Sequence, residues 1–365
     1  NVNYTIVHTY DADNRMTSCN LASGKSITKT YTDRNQLETV ALDGIQTTTF
    51  AYDAGMRESS RTYGNGLVNS STYRLDNTKS DISVAGKSEL SFGYTFDANK
   101  NILSETNTGT SAGYSWNATF DNADRLQTWN RTNGTSRNYN LDLIGNWDSV
   151  SKDGVTENRT YNDAHELITS GSQALTYDAK GQLTENADFT FSWDIDGHLQ
   201  TATNKNSIET VSFTYDALGR RTEKKALDVN TLFVSCAQKV CEEYEDFANS
   251  GTYTHARTYV HATYIDDIVA KVEADESVTY YHTDRQFNVR GLTDSNGAIV
   301  ELYAYTPYGE RTVLDATGAV IAESAYDNQY GFTGRYLDSE TGLWYFRARY
   351  FDTEMGRFVR RDPIG

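Results

Sequence analysis

Cysteine is scarce here, with three residues in a chain of 365. That is too few for the disulfide framework on which small secreted domains rely. Cys19 stands alone, while Cys236 and Cys241 are near enough either to close a small loop or to remain free thiols. Positive charge is also short. Against 50 Asp and Glu there are 33 Lys and Arg, a net charge of -17. Phosphate backbones and anionic membrane surfaces call for clustered Lys and Arg, so neither nucleic acid nor such a surface is an expected partner. No apolar run is long enough to span a bilayer. His8, His165, His198, His255, His261 and His282 have no Cys or His partner at ligand spacing, so neither a metal nor a cofactor is expected. No glycine-rich stretch reads Gly-x-x-x-x-Gly-Lys-Ser/Thr, and no nucleophile elbow is present, which leaves a hydrolase with an external substrate unsupported.

What the chain does have is one short pattern repeated along most of its length. An aromatic residue is followed by Asp or Asn, a small residue, often Gly, Asn or Asp, then a polar and an apolar residue. Copies include Tyr52-Asp53-Ala54-Gly55-Met56-Arg57, Phe120-Asp121-Asn122-Ala123-Asp124-Arg125-Leu126, Tyr177-Asp178-Ala179-Lys180-Gly181-Gln182-Leu183 and Tyr215-Asp216-Ala217-Leu218-Gly219-Arg220. The anchors Tyr31, Tyr52 and Tyr73 follow one another at 21 residues, enough for two short strands and two turns. The Asp supplies the turn by accepting backbone N–H groups, and Gly or Asn tolerates positive φ. The flanks alternate, as in Thr47-Thr48-Thr49-Phe50-Ala51-Tyr52 and Val211-Ser212-Phe213-Thr214-Tyr215, and read as strands. A repeat of this period predicts an extended sheet array rather than a compact enzyme with one cleft. With 26 Tyr, 14 Phe and 5 Trp, aromatic rings must supply much of the packing. Tyr suits a sheet face that is half wet, which favours a wide shell over a tight two-sheet sandwich.

Residues 1–225 read as the repeat array, and 226–279 as an insertion followed by continuing strands. From 280 the motifs become specific. They include Tyr303-Ala304-Tyr305-Thr306-Pro307-Tyr308-Gly309 and Phe332-Thr333-Gly334-Arg335-Tyr336-Leu337-Asp338. Beyond these come Glu340-Thr341-Gly342-Leu343-Trp344-Tyr345-Phe346-Arg347-Ala348-Arg349-Tyr350-Phe351-Asp352, Gly356-Arg357-Phe358 and Asp362-Pro363-Ile364-Gly365. This segment, 280–365, resembles the core terminus of the Rhs / YD-repeat family, to which the repeats upstream also conform.

The resemblance implies an all-β fold in which YD-repeat hairpins spiral into a hollow shell, a β-cocoon, with the C-terminal segment curled inward as a plug. It implies an encapsulating role in a polymorphic toxin or toxin complex, with a toxin payload downstream of this chain. It further implies a protein that is secreted or delivered by a bacterial secretion system, with a shell-sealing or delivery protein as a further partner. At 365 residues the chain is short for a complete shell and is expected to be the C-terminal portion of a longer polypeptide. The resemblance implies that, as many family members cut themselves after Asp-Pro-x-Gly-Leu, the cut falls just beyond Gly365.

The resemblance assigns that cut to two Asp residues and an Arg, for which Asp352, Asp362 and Arg349 are the candidates. Two neighbouring carboxylates share one proton, so that the charged one activates water while the protonated one polarises the scissile carbonyl. Arg349 can hold a carboxylate or stabilise developing negative charge. Pro363 fixes the chain after Asp362 and disposes Asp362 toward an extended conformation. The plain alternative is that both Asp residues serve turns. Asp338 and Glu340 read as turn or surface residues, and Arg347, Arg357, Arg360 and Arg361 as a solvated face or, preferably, as cations that dock the plug on the acidic shell. The competing function is an extracellular YD-repeat module, structural or adhesive, that binds glycan or protein and is never cut.

Overall fold

The computed structural model describes residues 4–247 and 249–363, the side chain of Gln46 apart. Among these residues the chain is all-β and antiparallel, with short 3-10 turns at Gly109–Tyr114 and Phe332–Gly334. A first sheet of 17 strands runs from Val7–Tyr10 to Gln173–Ala174, and a second of 15 from Thr176–Tyr177 to Val320–Ile321. A third, of four strands, runs from Tyr336–Asp338 to Arg357–Phe358.

The repeated motif explains why these residues form hairpins. In the copy at Phe120, Asp121 Oδ1 accepts the backbone N–H groups of Ala123 and Arg125 at 2.9 Å, and Oδ2 accepts Arg125 Nε at 2.7 Å. Asp124 takes positive φ, and the register slips by one residue between Thr119 and Phe120, so that the turn ends in a bulge. The anchor ring lies over the preceding hairpin, and its polar tip has a fixed partner. Tyr31, Tyr52 and Tyr73 donate their hydroxyls to the carbonyls of Met16, Leu37 and Glu58, each at 2.8 Å. Arginines join successive copies: Arg15 donates to Asn35 Oδ1 at 2.6 Å and Arg57 to Asn77 Oδ1 at 2.9 Å. The tyrosines recur because one side chain both packs and satisfies a carbonyl that the turn leaves open.

The hollow shell and the inward plug are overturned. Neither long sheet closes: within each, strands pair with their neighbours in the chain, and no ladder joins Val7–Tyr10 to Gln173–Ala174 or Thr176–Tyr177 to Val320–Ile321. Nor is a wide lumen needed, because the sheets pack on one another. Val260, Val269, Ala270 and Tyr280 of the second sheet share a core with Leu37, Val40, Phe50 and Tyr63 of the first. Tyr259, Ile268 and Tyr281, on the opposite face, share a core with Tyr336, Trp344 and Phe351 of the C-terminal sheet. Residues that alternate along one strand therefore enter two different cores, and Thr254–His261, Ile268–Glu273 and Val278–Thr283 are buried over most of their length. The terminal segment packs on both long sheets: Leu343, Tyr350 and Val359 share a core with Leu167 of the first and Leu183 and Leu199 of the second, and Arg159 of the first donates to the Met355 carbonyl.

Buried polar contacts fix the layers in register. Arg61 holds Asp267 through two hydrogen bonds of 2.8 and 2.9 Å between the first and second sheets. Tyr63 donates to the Tyr281 carbonyl at 2.9 Å, and Arg290 to Glu105 at 2.8 Å. Cys236 and Cys241 form a disulfide in the hairpin Asn230–Asp246, with the buried Cys19 sulfur 3.4 Å from that of Cys236.

Candidate functional site

The three residues singled out in the sequence lie on the last strands of the C-terminal sheet and the segment after it. Asp352 ends the strand Tyr350–Asp352 and begins the turn to Arg357–Phe358. Its Oδ1 accepts the backbone N–H groups of Glu354 at 2.8 Å and Met355 at 3.0 Å. Burial raises its pKa, while those two amides pull it down. Gly356 closes the turn at φ 67, pressed so closely on Trp147 that a Cβ there would overlap the indole. Asp352 lines a cavity of about 430 Å³ with Glu157, Ser170, Asn186 and Leu343.

Arg349 and Asp362 are brought together. Arg349 Nη2 lies 3.0 Å from Asp362 Oδ2, and the guanidinium sits 3.8 Å over the Phe358 ring. Asp362 lines a different, smaller cavity of about 190 Å³ with Lys180, Gln182, Gly197 and Arg360. The structure thus forms the Arg349–Asp362 pair and sets Asp352 in a separate cavity with its carboxylate committed to a turn. The position just beyond Gly365, where the cut was expected, lies outside the described residues.

The segment that carries Asp362 is tied to both long sheets. The Leu183 amide donates to the Val359 carbonyl at 2.9 Å, and the Val359 amide to the Tyr350 carbonyl at 3.0 Å. Arg360 donates to the Gly197 carbonyl, Arg361 pairs with Glu166 at 2.8 Å and Arg347 pairs with Asp266. The tail arginines do dock the segment, through carbonyls as well as carboxylates.

Asp338 is not a surface residue. It is wholly buried and accepts Arg221 at 2.6 Å, with Lys224 at 3.8 Å; Lys224 also pairs with Glu340 at 2.7 Å. Arg221 lies 4.2 Å over the Tyr345 ring and 4.5 Å over Phe233. Sequence reading missed this cluster because its members are more than a hundred residues apart and none sits in an unusual local pattern. Around it the second sheet and the tail enclose a cavity of about 400 Å³, whose lining includes Arg220, Arg221, Lys239, Arg335, Arg360 and Pro363.

For a metal, the candidate group among the described residues is Asp194, Asp196 and His198, whose ligand atoms lie within 4.8 Å of one another. Their geometry follows the turn motif. Asp194 accepts the His198 backbone N–H at 2.7 Å and pairs with its Nδ1 at 2.9 Å, while the imidazole stacks on Tyr215. His198 fills the place that arginine holds in other copies. No helix of the described residues is long and apolar enough to cross a membrane.

Comparison with known proteins adds to this geometry. The family model described as Teneurin YD-shell matches residues 67–364. Among curated proteins, the chain is 28% identical over 235 residues to the tRNA3(Ser)-specific nuclease WapA of Bacillus spizizenii, covering 63% of this chain and 10% of that protein. It is 26% identical over 311 residues to the double-stranded DNA deaminase toxin A of Burkholderia cenocepacia, covering 77% of this chain and 21% of that one. Among solved structures, the Photorhabdus luminescens Tc holotoxin pore with the TccC3-D651A mutation matches with a TM-score of 0.83 at 18% identity, over 99% of this chain and 20% of that one. The chain therefore spans about a tenth to a fifth of the length of these relatives.

Proposed function

This chain belongs to the Teneurin YD-shell family, and from that premise we propose that it is a packed sheet segment of a larger exported bacterial toxin protein, holding the polypeptide that continues past Gly365 until it is cut. Kinship to a nuclease, a deaminase toxin and a Tc toxin component supports a payload downstream, and delivery out of the producing cell, with a delivery protein as a further partner. The observation that carries the reading is the Arg349–Asp362 pair, on a terminal segment anchored to the second sheet by Leu183 and Gly197 and to the first by Glu166. That anchoring fixes where the chain leaves the sheets, and it sets the Asp362 carboxylate beside Arg349 there.

The chemistry proposed is a single intramolecular hydrolysis. Asp362, paired with Arg349, takes a proton from water as the water oxygen bonds to the scissile carbonyl carbon. The C–N bond then breaks, and the departing nitrogen takes a proton from an acid. Asp352 is the candidate acid, since burial disposes it to the protonated form. The two carboxylates line separate cavities, so the downstream segment would have to reach both.

The test is intact mass spectrometry of the polypeptide extended through its natural sequence past Gly365. A cut C-terminal to Gly365, abolished by Asp362→Asn and slowed by Arg349→Met, is the expected result. A cut lost on Asp352→Asn adds Asp352 as the acid. An uncut parent overturns the processing role and leaves the alternative of an uncut structural or adhesive YD-repeat module.

A further inference from the structure

One buried cation has no ion-pair partner among the described residues. Arg131 ends the strand Leu126–Arg131 and is 7% exposed. Its guanidinium lies 4.8 Å from the Trp129 ring centre and 5.0 Å from that of Tyr114. Among the described residues no carboxylate comes within ion-pairing distance of it, and its Nε has no hydrogen-bond partner. Its neighbours are treated differently. Arg290, equally buried, donates to Glu105 at 2.8 Å and Asn107 at 3.1 Å, and lies 3.4 Å from Asp284. The carboxylates nearby are therefore committed to Arg290. Burial, and then the charge of Arg290, pushes the pKa of Arg131 down to about 10, which still leaves it cationic at neutral pH. An unanswered buried charge is costly, and one in the wall of a cavity marks a place for an anion.

That cavity exists. Between the first and second sheets, a space of about 370 Å³ is lined by Arg131, by the rings of Trp116, Trp129 and Phe120, and by the amides of Asn101 and Gln286, among others. The volume falls within the range of roughly 300–1,000 Å³ typical of small-molecule sites. The lining combines three recognition elements: aromatic faces for the flat apolar side of a ring, the Gln286 amide for hydroxyls, and a guanidinium fork for a carboxylate. Arg285 lies across the cavity 5.0 Å over Phe96, its Nε also unpartnered. With Lys100, Arg131, Arg285 and Arg290 against Glu105 and Asp284, the lining is cationic inside a chain of net charge -17.

We propose that this inter-sheet cavity is a binding site for an acidic sugar of the uronate type, its carboxylate held by Arg131 and its ring by Trp116 and Trp129. The site is independent of the terminal segment and of any cut there.

The test is titration of the 365-residue chain with glucuronate, glucose and benzoate, followed by tryptophan fluorescence and thermal melting. Trp116 and Trp129 report from the cavity wall. Saturable quenching by glucuronate with a raised Tm, and an affinity for glucose at least about tenfold weaker, is expected, because a charge-assisted hydrogen bond is worth about 1.5–3 kcal/mol. Arg131→Met removes the response to glucuronate, and Arg131→Lys, which keeps the charge but loses the fork, weakens it. Without ligand, Arg131→Met melts no lower than the parent, which shows that the variant is folded. Binding of benzoate but not glucuronate overturns the sugar assignment. No saturable response to glucuronate, or one that Arg131→Met leaves unchanged, overturns the site.

Discussion

Arg221 donates to Asp338 across 2.6 Å at a point where both side chains are almost wholly excluded from water. One belongs to the second sheet and the other to the C-terminal sheet, so this pair sets the register of the C-terminal sheet on the second. Tyr350 lies beside it, with its hydroxyl 3.0 Å from that of Tyr215. The position of the terminal segment, and with it that of Arg349, depends on this buried contact.

Arg221→Met should therefore be strongly destabilising, since it leaves Asp338 buried with only Lys224 for a counter-charge. Removing one partner of a buried pair costs about 3–5 kcal/mol. Urea denaturation measures this directly. Arg221→Met combined with Asp338→Leu should recover part of the loss, because no unanswered charge remains. A single-variant cost below about 1 kcal/mol would refute the assignment of this pair as the dock.

Acid should destabilise the protein through two histidines. His261 and His282 are buried, and burial with the nearby cations Lys239 and Arg61, respectively, pushes each pKa down to about 3. The unfolded chain takes up these protons near pH 6.5. Between those values the unfolded state binds more protons, so stability falls as pH falls. The slope is about 1.4 kcal/mol per pH unit for each histidine. His282→Gln should flatten the profile by about one such slope between pH 6 and pH 4, as measured by urea midpoints. An unchanged slope would mean that His282 is not held neutral.

Much of this architecture was legible in the sequence, and the limits of that legibility are physical. The Tyr52-Asp53 and Phe120-Asp121 copies announced hairpins because the turn, its positive-φ residue and the anchoring ring are all encoded within a few residues. Whether such hairpins enclose a space or stack is decided by contacts far apart in the chain. Val260 shares a core with Leu37, and Tyr259 beside it shares another with Tyr336, yet both read locally as ordinary strand residues. In the site, the same Arg and Asp types that signalled chemistry at Arg349 and Asp362 serve a turn at Asp352. Asp338 looked like a turn residue in Leu337-Asp338-Ser339-Glu340 because its partner Arg221 is remote.

The three cysteines make a prediction about reactivity. Cys236 is bonded to Cys241, and the third sulfur, Cys19, lies 3.4 Å away with its thiol pushed up to about 11, first by burial and then by the charge of Glu242. The thiolate is the reactive form, so little is present at neutral pH. Iodoacetamide at pH 8 should leave the folded, unreduced chain unlabelled, add one group in urea, and add three after reduction. Mass spectrometry reads each state. Rapid labelling of the folded chain, or a Cys19–Cys236 bond in the peptide map, would contradict this arrangement.

Gly356 links the first sheet to the terminal segment, and its substitution tests how the candidate site is held. The residue sits at φ 67 with the Trp147 ring where a side chain would begin, and Trp147 is itself packed against Tyr139 and Tyr308. Gly356→Ala must move either the turn or the indole, and both routes loosen the strand Arg357–Phe358 on which Arg349 rests through Phe358. The strain of positive φ alone costs about 1 kcal/mol, and displacing a packed ring adds to it. The melting temperature should fall by several degrees. Limited trypsin digestion should then cut first after Arg357 or Arg360, which contact His165, Asn146 and Gly197 in the parent. A variant that melts like the parent and resists trypsin at these positions would show that the turn is not what anchors the segment. The Arg349–Asp362 pair would then owe its position to contacts such as those of Leu183, Gly197 and Glu166.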